Sequence, residues 1–290
     1  MLIQYVVSGI SVGCVYALAA MGFVLVYRTL GIINFAQADI LTAGVYIAGS
    51  IAVTPLLGNG LVQMMLLIPA MAIFGAVMYL VVFRWLIGRG FLNSVIATAV
   101  VGMLLRALIL AVYGPVPKSQ KPLLGDGRYS LGSAVVTVQQ LVVVGVTALI
   151  AIALYAGMQW TTLGKILRAL ASDFEMARLA GVRVHLVGAV VLAVSCILAG
   201  LSGYLVAPTL VITPSLGSPL LLALFTAVVV GGFGSIPGAA VGGLVVGLVE
   251  NLAAGYISST YQVAFLFIIL SLVLLFRPRG LFGEHLARRF

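Results

Sequence analysis

Few residues of this 290-residue chain could take part in acid–base or metal chemistry, because it has only six Asp and Glu and two His. These residues are rarely grouped, so neither a metal centre nor a pair of hydrolytic carboxylates explains the sequence. Seven of the Lys, Arg, Asp, Glu and His residues fall in the segment 158–185. Asp39, Arg106 and Glu250 instead stand inside long apolar stretches. We therefore predict no catalytic and no metal-binding residues.

The composition indicates a membrane protein. Hydrophobic residues make up 63% of the chain and charged residues 7%, whereas soluble domains carry about 25% charged residues. A membrane-spanning helix needs roughly 20 apolar residues. We expect an all-α, polytopic helical membrane protein with about 8–9 spans, forming one transmembrane domain over residues 1–290. The apolar runs lie at 4–27, 35–53, 61–83, 92–113, 138–157, 186–210, 219–232, 236–256 and 261–276.

The positive charges predict how the chain is oriented, because Lys and Arg collect in cytoplasmic loops. If the spans alternate from an N-terminus outside, only Lys118, Lys121 and Arg128 face outward, in a Pro- and Gly-rich loop from Gly114 to about Ser133. The C-terminus is then cytoplasmic. Eleven positive residues would share that side: Arg28, Arg84, Arg89, Lys165, Arg168, Arg178, Arg183, Arg277, Arg279, Arg288 and Arg289.

Two segments interrupt the apolar pattern, Gly31–Asp39 and Gly231–Gly238. Non-helical backbone at membrane depth must be satisfied by protein or line a watery cavity, and paired breaks are the best sequence pointer to a translocation region. We therefore expect broken or re-entrant helices near 31–48 and 219–240. A tight helical turn in each place is the alternative. The candidate pathway residues are Asn34, Gln37, Asp39, Gly231, Gly232, Gly234, Ser235 and Pro237.

The polar segment 158–185 forms the largest predicted cytoplasmic loop. Ser172 and Glu175 have the spacing of a capping box, which predicts that a helix starts there. Ala177 and Arg178 extend this helix, and Gly181 supplies the left-handed residue that ends it. A helix of about two turns is marginal alone in water. Either the membrane domain or a partner protein must hold it.

Five motifs together resemble the branched-chain amino acid permease family of ATP-binding-cassette (ABC) importers. The run EMARLAG at 175–181 resembles the coupling loop with which such permeases dock onto their ATPases. The other four motifs are VYAL at 15–18, GIINFA at 31–36, GGFGSIPGA at 231–239 and RPRGLFG at 277–283. The resemblance extends over nearly the whole chain.

The resemblance implies a complex in the bacterial inner membrane. Its other members would be a homologous second permease, two cytoplasmic ATPase subunits and a periplasmic substrate-binding protein. ATP and Mg²⁺ would be bound by the ATPase subunits. This chain itself would bind neither a cofactor nor nucleic acid, and it would have no enzymatic activity. No phosphate-binding loop of the form GxxxxGK[ST] is present in the sequence. The implied substrates are branched-chain or other apolar amino acids, with urea, short amides or small aromatic acids as alternatives.

A secondary transporter or channel is the rival from another class, because such proteins use ionisable groups inside the membrane. Asp39 could instead cap a helix end. Arg106 and Glu250 lie at similar depths in their spans, so we predict that they form an intramembrane charge pair. In the alternative, Arg106 extends towards the outer interface and Glu250 bonds to Asn251 or to backbone.

Overall fold

A computed structural model describes residues 2–52, 59–125, 127–131, 134–258, 261–277 and 280–283. Each of the nine predicted apolar runs contains a helix, which confirms the all-α membrane fold. The helices are α1 (Leu2–Leu30), α2 (Gln37–Ile51), α3 (Gly60–Met78), α4 (Arg84–Leu86), α5 (Phe91–Tyr113), α6 (Val138–Trp160), α7 (Thr162–Ser172), α8 (Phe174–Leu179), α9 (Val184–Val206), α10 (Gly217–Gly231), α11 (Ile236–Tyr256) and α12 (Gln262–Phe276).

Within the described residues, six helical stretches are long and apolar enough to cross a bilayer: α1, the α3–α4 unit, α5, α6, α9 with the short 3₁₀ turn after it, and α11. The α3–α4 unit is continuous through a π-helical turn at Tyr79–Phe83. Helices α2, α10 and α12 have 15 residues each, or about 22 Å at 1.5 Å per residue. They are shorter than a bilayer core of about 30 Å.

The centre of the bundle is the pair α1 and α11, which pack along much of their length. Their backbones touch through glycine. A Cβ atom added to Gly247 would lie 2.3 Å from the Cα of Gly13, and one added to Gly243 would lie 2.4 Å from the backbone nitrogen of Ala17. Such small-residue contacts let helices approach closely where lipid offers no hydrophobic driving force.

Helices α2 and α10 both begin inside the bundle. The N–H of Phe35, just before α2, donates to Thr98 Oγ1, seven residues or about 10 Å along α5 from its first residue. A Cβ on Gly217, the first residue of α10, would lie 2.2 Å from the carbonyl oxygen of Ala38. The two short helices therefore start beside each other within the membrane domain, as broken helices do.

The predicted outward loop is more regular than its Pro and Gly content suggests. Strands β1 (Arg128–Leu131) and β2 (Ala134–Thr137) form an antiparallel hairpin. Gln4 of α1 accepts a hydrogen bond from the N–H of Val135, 2.8 Å away. The hairpin is thereby attached to the start of α1. Ser133, where the loop was predicted to end, lies outside the described residues.

Candidate functional site

The polar segment 158–185 folds into two short helices, α7 and α8, after α6 ends at Trp160. Asp173 is the N-cap of α8, and its carboxylate accepts from the N–H of Met176 at 2.9 Å. The prediction that Ser172 caps this helix is wrong by one residue. Ser172 ends α7, where its hydroxyl donates to the carbonyl of Arg168. Asp173 takes the cap instead, because α8 begins at Phe174 and the residue before it is Asp173.

Helix α8 ends as the sequence predicts. Gly181 has a φ of 85°, and the N–H of Val182 donates to the carbonyl of Ala177 at 3.1 Å, which closes the turn in the manner of a Schellman motif. Ala177 is buried. Glu175 and Arg178 are exposed, so α8 rests on the rest of the protein through one side only.

The exposed side of α8 is apolar as well as charged. Met176 and Leu179 are 63% and 82% exposed. A large apolar side chain in water costs about 1.5–3 kcal/mol relative to burial, and two such residues sit on a polar loop with charged neighbours. This side of α8, formed by Glu175, Met176, Arg178 and Leu179, is the surface we call the α8 face.

The break between α1 and α2 is held by side chains rather than by regular helix bonds. Gly31 has a φ of 70°, which turns the chain after Leu30. The amide oxygen of Asn34 accepts from the N–H of Ala36 at 3.1 Å, and Thr98 of α5 accepts from Phe35 and donates to the carbonyl of Ile33. The non-helical backbone is thus satisfied by protein, as its position in the membrane requires.

Gln37 fastens α2 to its neighbours. Its amide oxygen accepts from Asn34 at 3.0 Å and from Ser195 Oγ at 3.1 Å, and its amide nitrogen lies 3.4 Å from the carbonyl oxygens of Ala19 and Ser195. Asn34 and Gln37 are fully buried. In this conformation both predicted pathway residues bond to protein groups of α1, α2 and α9.

The second break separates α10 from α11. Gly232 and Gly234 have φ values of 105° and 95°, which an L side chain adopts only at a cost. Ser235 caps α11, because its hydroxyl accepts from the N–H of Gly238 at 3.1 Å. Pro237 occupies the first turn, where its missing N–H is harmless.

The segment after α12 closes this break. The N–H groups of Leu281 and Phe282 donate to the carbonyls of Val230 and Gly231, at 2.8 and 3.0 Å. A Cβ on Gly280 would lie 2.5 Å from the Cα of Gly232. Part of the RPRGLFG motif therefore caps the last turn of α10, while its residues 278 and 279 lie outside the described part of the chain.

An aromatic cluster joins the two breaks. Phe225 of α10 stacks on Phe35 with the ring centroids 6.1 Å apart and meets Phe233 edge-on at 5.8 Å. Tyr27 and Phe23 of α1 contact Phe233 and Phe225 respectively. The two interruptions that the sequence shows 200 residues apart are thus neighbours in space.

The charges inside the membrane do not pair as predicted. Arg106 Nη2 lies 2.9 Å from Asp39 Oδ1, and its Nε lies 3.3 Å from the same oxygen. Glu250 accepts from Gln262 at 2.5 Å. The predicted pair of Arg106 with Glu250 is wrong because equal depth says nothing about lateral position. Helix α5 packs against α2, whereas α11 packs against α1 and α10.

Several residues of these sites were not predicted. Thr98 and Ser195 lie in unbroken apolar helices, and nothing in a single sequence distinguishes them from other small polar residues. The start of α10 did leave a signal. Thr213, Pro214, Ser215, Gly217 and Ser218 form a Thr/Pro/Ser/Gly cluster, which typically marks a break in regular structure.

Helices of this length and apolarity, with two short ones that begin beside each other inside the bundle, are typical of a multi-pass membrane protein. The chain belongs to the family described as branched-chain amino acid transport system, permease component, whose model matches residues 5–274. No solved structure matches the chain significantly.

Individual relatives are similar over almost their full length. The high-affinity branched-chain amino acid transport system permease proteins LivH of Salmonella typhimurium and of Escherichia coli are each 32% identical to this chain, over 97% of it and 96% of their own length. The corresponding protein BraD of Pseudomonas aeruginosa is 33% identical over the same shares.

Proposed function

We propose that this chain is the membrane-spanning permease subunit of an ABC importer that moves branched-chain amino acids into the cytoplasm. The observation that carries the proposal is the α8 face, an exposed apolar surface on a short polar loop, in a chain that is about one third identical to such permeases over 97% of its length. The whole chain, residues 1–290, acts as one transmembrane domain.

The α8 face is the coupling surface. Glu175 and Arg178 flank Met176 and Leu179 on it, Asp173 and Gly181 fix the two ends of the helix, and buried Ala177 attaches it to the domain. Closure of two ATPase subunits would push α8 and move the spans on either side of it as rigid bodies. ATP and Mg²⁺ are bound by those subunits, and this chain itself hydrolyses nothing.

The charge distribution supports an N-terminus outside and a C-terminus in the cytoplasm of the inner membrane. Arg28, Arg84, Arg89 and the α7–α8 loop share the face where α1 ends, while Lys118, Lys121 and Arg128 share the face where α1 begins. Cytoplasmic loops favour Lys and Arg. We call these the inner and the outer face. A homologous second permease would complete the membrane part, and a periplasmic binding protein would deliver the amino acid to the outer face.

The test is uptake by the reconstituted complex. Proteoliposomes holding this permease, its second permease and the ATPase subunits should take up labelled leucine only with the binding protein on one side and ATP on the other. Leu179→Asp should weaken ATPase association at least about tenfold, since it replaces a side chain whose burial is worth about 1.5–3 kcal/mol. Val211→Asp, at an exposed apolar site on the opposite face, is the matched control.

Two results would contradict the proposal. Leucine transport by this chain without any ATPase would make it a secondary carrier. ATP-dependent uptake of urea, short amides or aromatic acids, but not of branched-chain amino acids, would keep the permease class and replace the substrate.

A further inference from the structure

A cavity of about 590 Å³ opens at the outer face between the ends of α2, α5 and α9, the start of α3 and the loop 118–122. Small-molecule sites typically enclose about 300–1,000 Å³. The residues that matter here are Val45, Tyr46, Gln63, Tyr113, Lys118 and Ile212, all of which line it.

Lys118 is one of two lysines that line this cavity, and both its backbone and its side chain are held in place. Its backbone N–H and C=O exchange hydrogen bonds with those of Ile212, each 2.9 Å long. Its ammonium nitrogen lies 4.9 Å from the ring centroid of Tyr113 and 5.6 Å from that of Tyr46, within range of cation–π attraction. Among the described lining residues there are two lysines and no carboxylate, so the cavity favours an anionic group.

Tyr46 also lines the cavity, and its buried hydroxyl is a second donor beside it. Tyr46 is only 3% exposed, and its hydroxyl oxygen has no hydrogen-bond partner in the described structure. Leaving a buried polar group unsatisfied costs about 1–3 kcal/mol. The neighbouring hydroxyl of Tyr113 is engaged with Ser50 at 2.5 Å. A ligand oxygen that accepted a hydrogen bond from the Tyr46 hydroxyl would therefore remove the cost of leaving that group unsatisfied.

The rest of the wall suits an apolar body with a second polar group. Val45, Ile212 and the two tyrosine rings supply apolar surface, and Gln63 Oε1, which accepts from Tyr204, is an oxygen that could also accept from an ammonium group. Val45 lies one helical turn beyond Thr42, whose hydroxyl would be 2.9 Å from a Cβ on Gly217 at the start of α10. The wall of the cavity at Val45 is therefore one helical turn from the contact between α2 and α10.

We propose that this cavity binds the α-carboxylate of a small apolar amino acid, with Lys118 and Tyr46 as donors, before the amino acid passes through the membrane. This inference rests on the proposed function, because it names where the outer face of the permease first holds the substrate.

Direct binding to the complex without the binding protein tests it. The probes are radiolabelled L-leucine and L-leucinol, which keeps the side chain and the amine but lacks the carboxylate. The wild-type complex in lipid nanodiscs should bind leucine at least about tenfold more tightly than leucinol, because hydrogen bonds to a charged group are strong. Lys118→Gln should remove this preference. Arg128→Gln, which removes a charge from the same face but does not line the cavity, should retain it.

A second variant guards against misfolding as the explanation. Tyr46→Phe keeps the ring under Lys118 and removes only the unsatisfied hydroxyl. Its unfolding temperature should equal or exceed that of the wild type, while its affinity for leucine should fall several-fold. Unchanged leucine affinity in Tyr46→Phe would overturn the role of that hydroxyl.

The remaining outcomes separate this inference from the proposed function. Equal binding of leucine and leucinol by the wild type, with ATP-dependent leucine uptake intact, overturns the cavity and leaves the importer standing. If Lys118→Gln weakens association with the binding protein but not leucine binding, Lys118 contacts that protein and the proposal is wrong. Absence of leucine uptake by the wild-type complex would instead contradict the proposed function.

Discussion

The ion pair of Asp39 and Arg106 is a local link between α2 and α5 inside the membrane domain. The Asp39 side chain is 8% exposed and the Arg106 side chain 37%. Asp39→Asn and Arg106→Gln should each lower the free energy of unfolding by about 1–3 kcal/mol, less than a fully buried pair because Arg106 is partly exposed. The double variant should lose clearly less than the sum, since both substitutions remove one interaction.

The measurement is a double-mutant cycle by unfolding in detergent. Arg89→Gln, an exposed arginine at the inner face, controls for the loss of a positive charge and should change stability by less than about 0.5 kcal/mol. Strict additivity of the Asp39 and Arg106 variants would show that the two charges are stabilised separately.

Glu250 is buried without a described cationic partner, and its Oε1 accepts from the amide of Gln262. Glu250→Gln keeps the shape and an acceptor oxygen, so the free energy of unfolding should change by less than about 1 kcal/mol. Gln262→Leu should cost about 1–3 kcal/mol, because it leaves a buried acceptor without its donor. Thermal unfolding of both variants decides the matter: a larger loss for Glu250→Gln than for Gln262→Leu would mean that the negative charge itself is required.

At the scale of elements, the hairpin of α10 and α11 depends on glycine at the contact. A Cβ on Gly242 would lie 2.1 Å from the carbonyl oxygen of Ala227. Because that oxygen belongs to the backbone, relieving the clash requires a shift of the whole helix. Gly242→Ala should therefore separate α10 from α11 and lower stability by roughly 2 kcal/mol or more, as overpacking does. It should also disturb the break at Gly232, which lies between the same two helices.

Gly145 is the matched control for this substitution. It lies in α6, and a Cβ there would meet no atom within 4 Å. Gly145→Ala should be neutral or stabilising by up to about 1 kcal/mol, because Ala favours helix over Gly. Equal unfolding temperatures for the two variants in detergent would show that the close approach of α10 and α11 is not needed.

At the scale of the whole molecule, the alternation of helices makes the orientation testable. Ser119 lies in the loop proposed to be outside, and Ser172 is the last residue of α7 at the proposed inner face; both are exposed. The native Cys14 and Cys196 are buried and free. In intact spheroplasts, a membrane-impermeant maleimide should label Ser119→Cys, while Ser172→Cys should react only after permeabilisation. The reverse pattern would invert the orientation of the chain.

The sequence by itself determined that this protein lies in lipid and that its secondary structure is mainly helical. Nine apolar runs predict nine helices because a chain in lipid must satisfy its backbone within each segment, and every run contains one in the structure. The end of α8 at Gly181 and the breaks at Gly31 and Gly232 were also predictable, since each needs a positive φ that glycine adopts freely. Patterns of this kind depend only on neighbours in the chain.

Lateral arrangement was decided by the tertiary structure alone. Arg106 pairs with Asp39 rather than with Glu250 because α5 packs on α2, and hydropathy fixes the depth of a residue but not its direction around the bundle. Phe225 joins two breaks that lie 200 residues apart for the same reason. The Lys118 cavity likewise needs four helix ends and a loop to meet. Where membrane helices are apolar on every side, hydropathy does not distinguish one helix face from another. Small residues then determine which helices can pack closely, and which small residues meet is seen only in the packed structure.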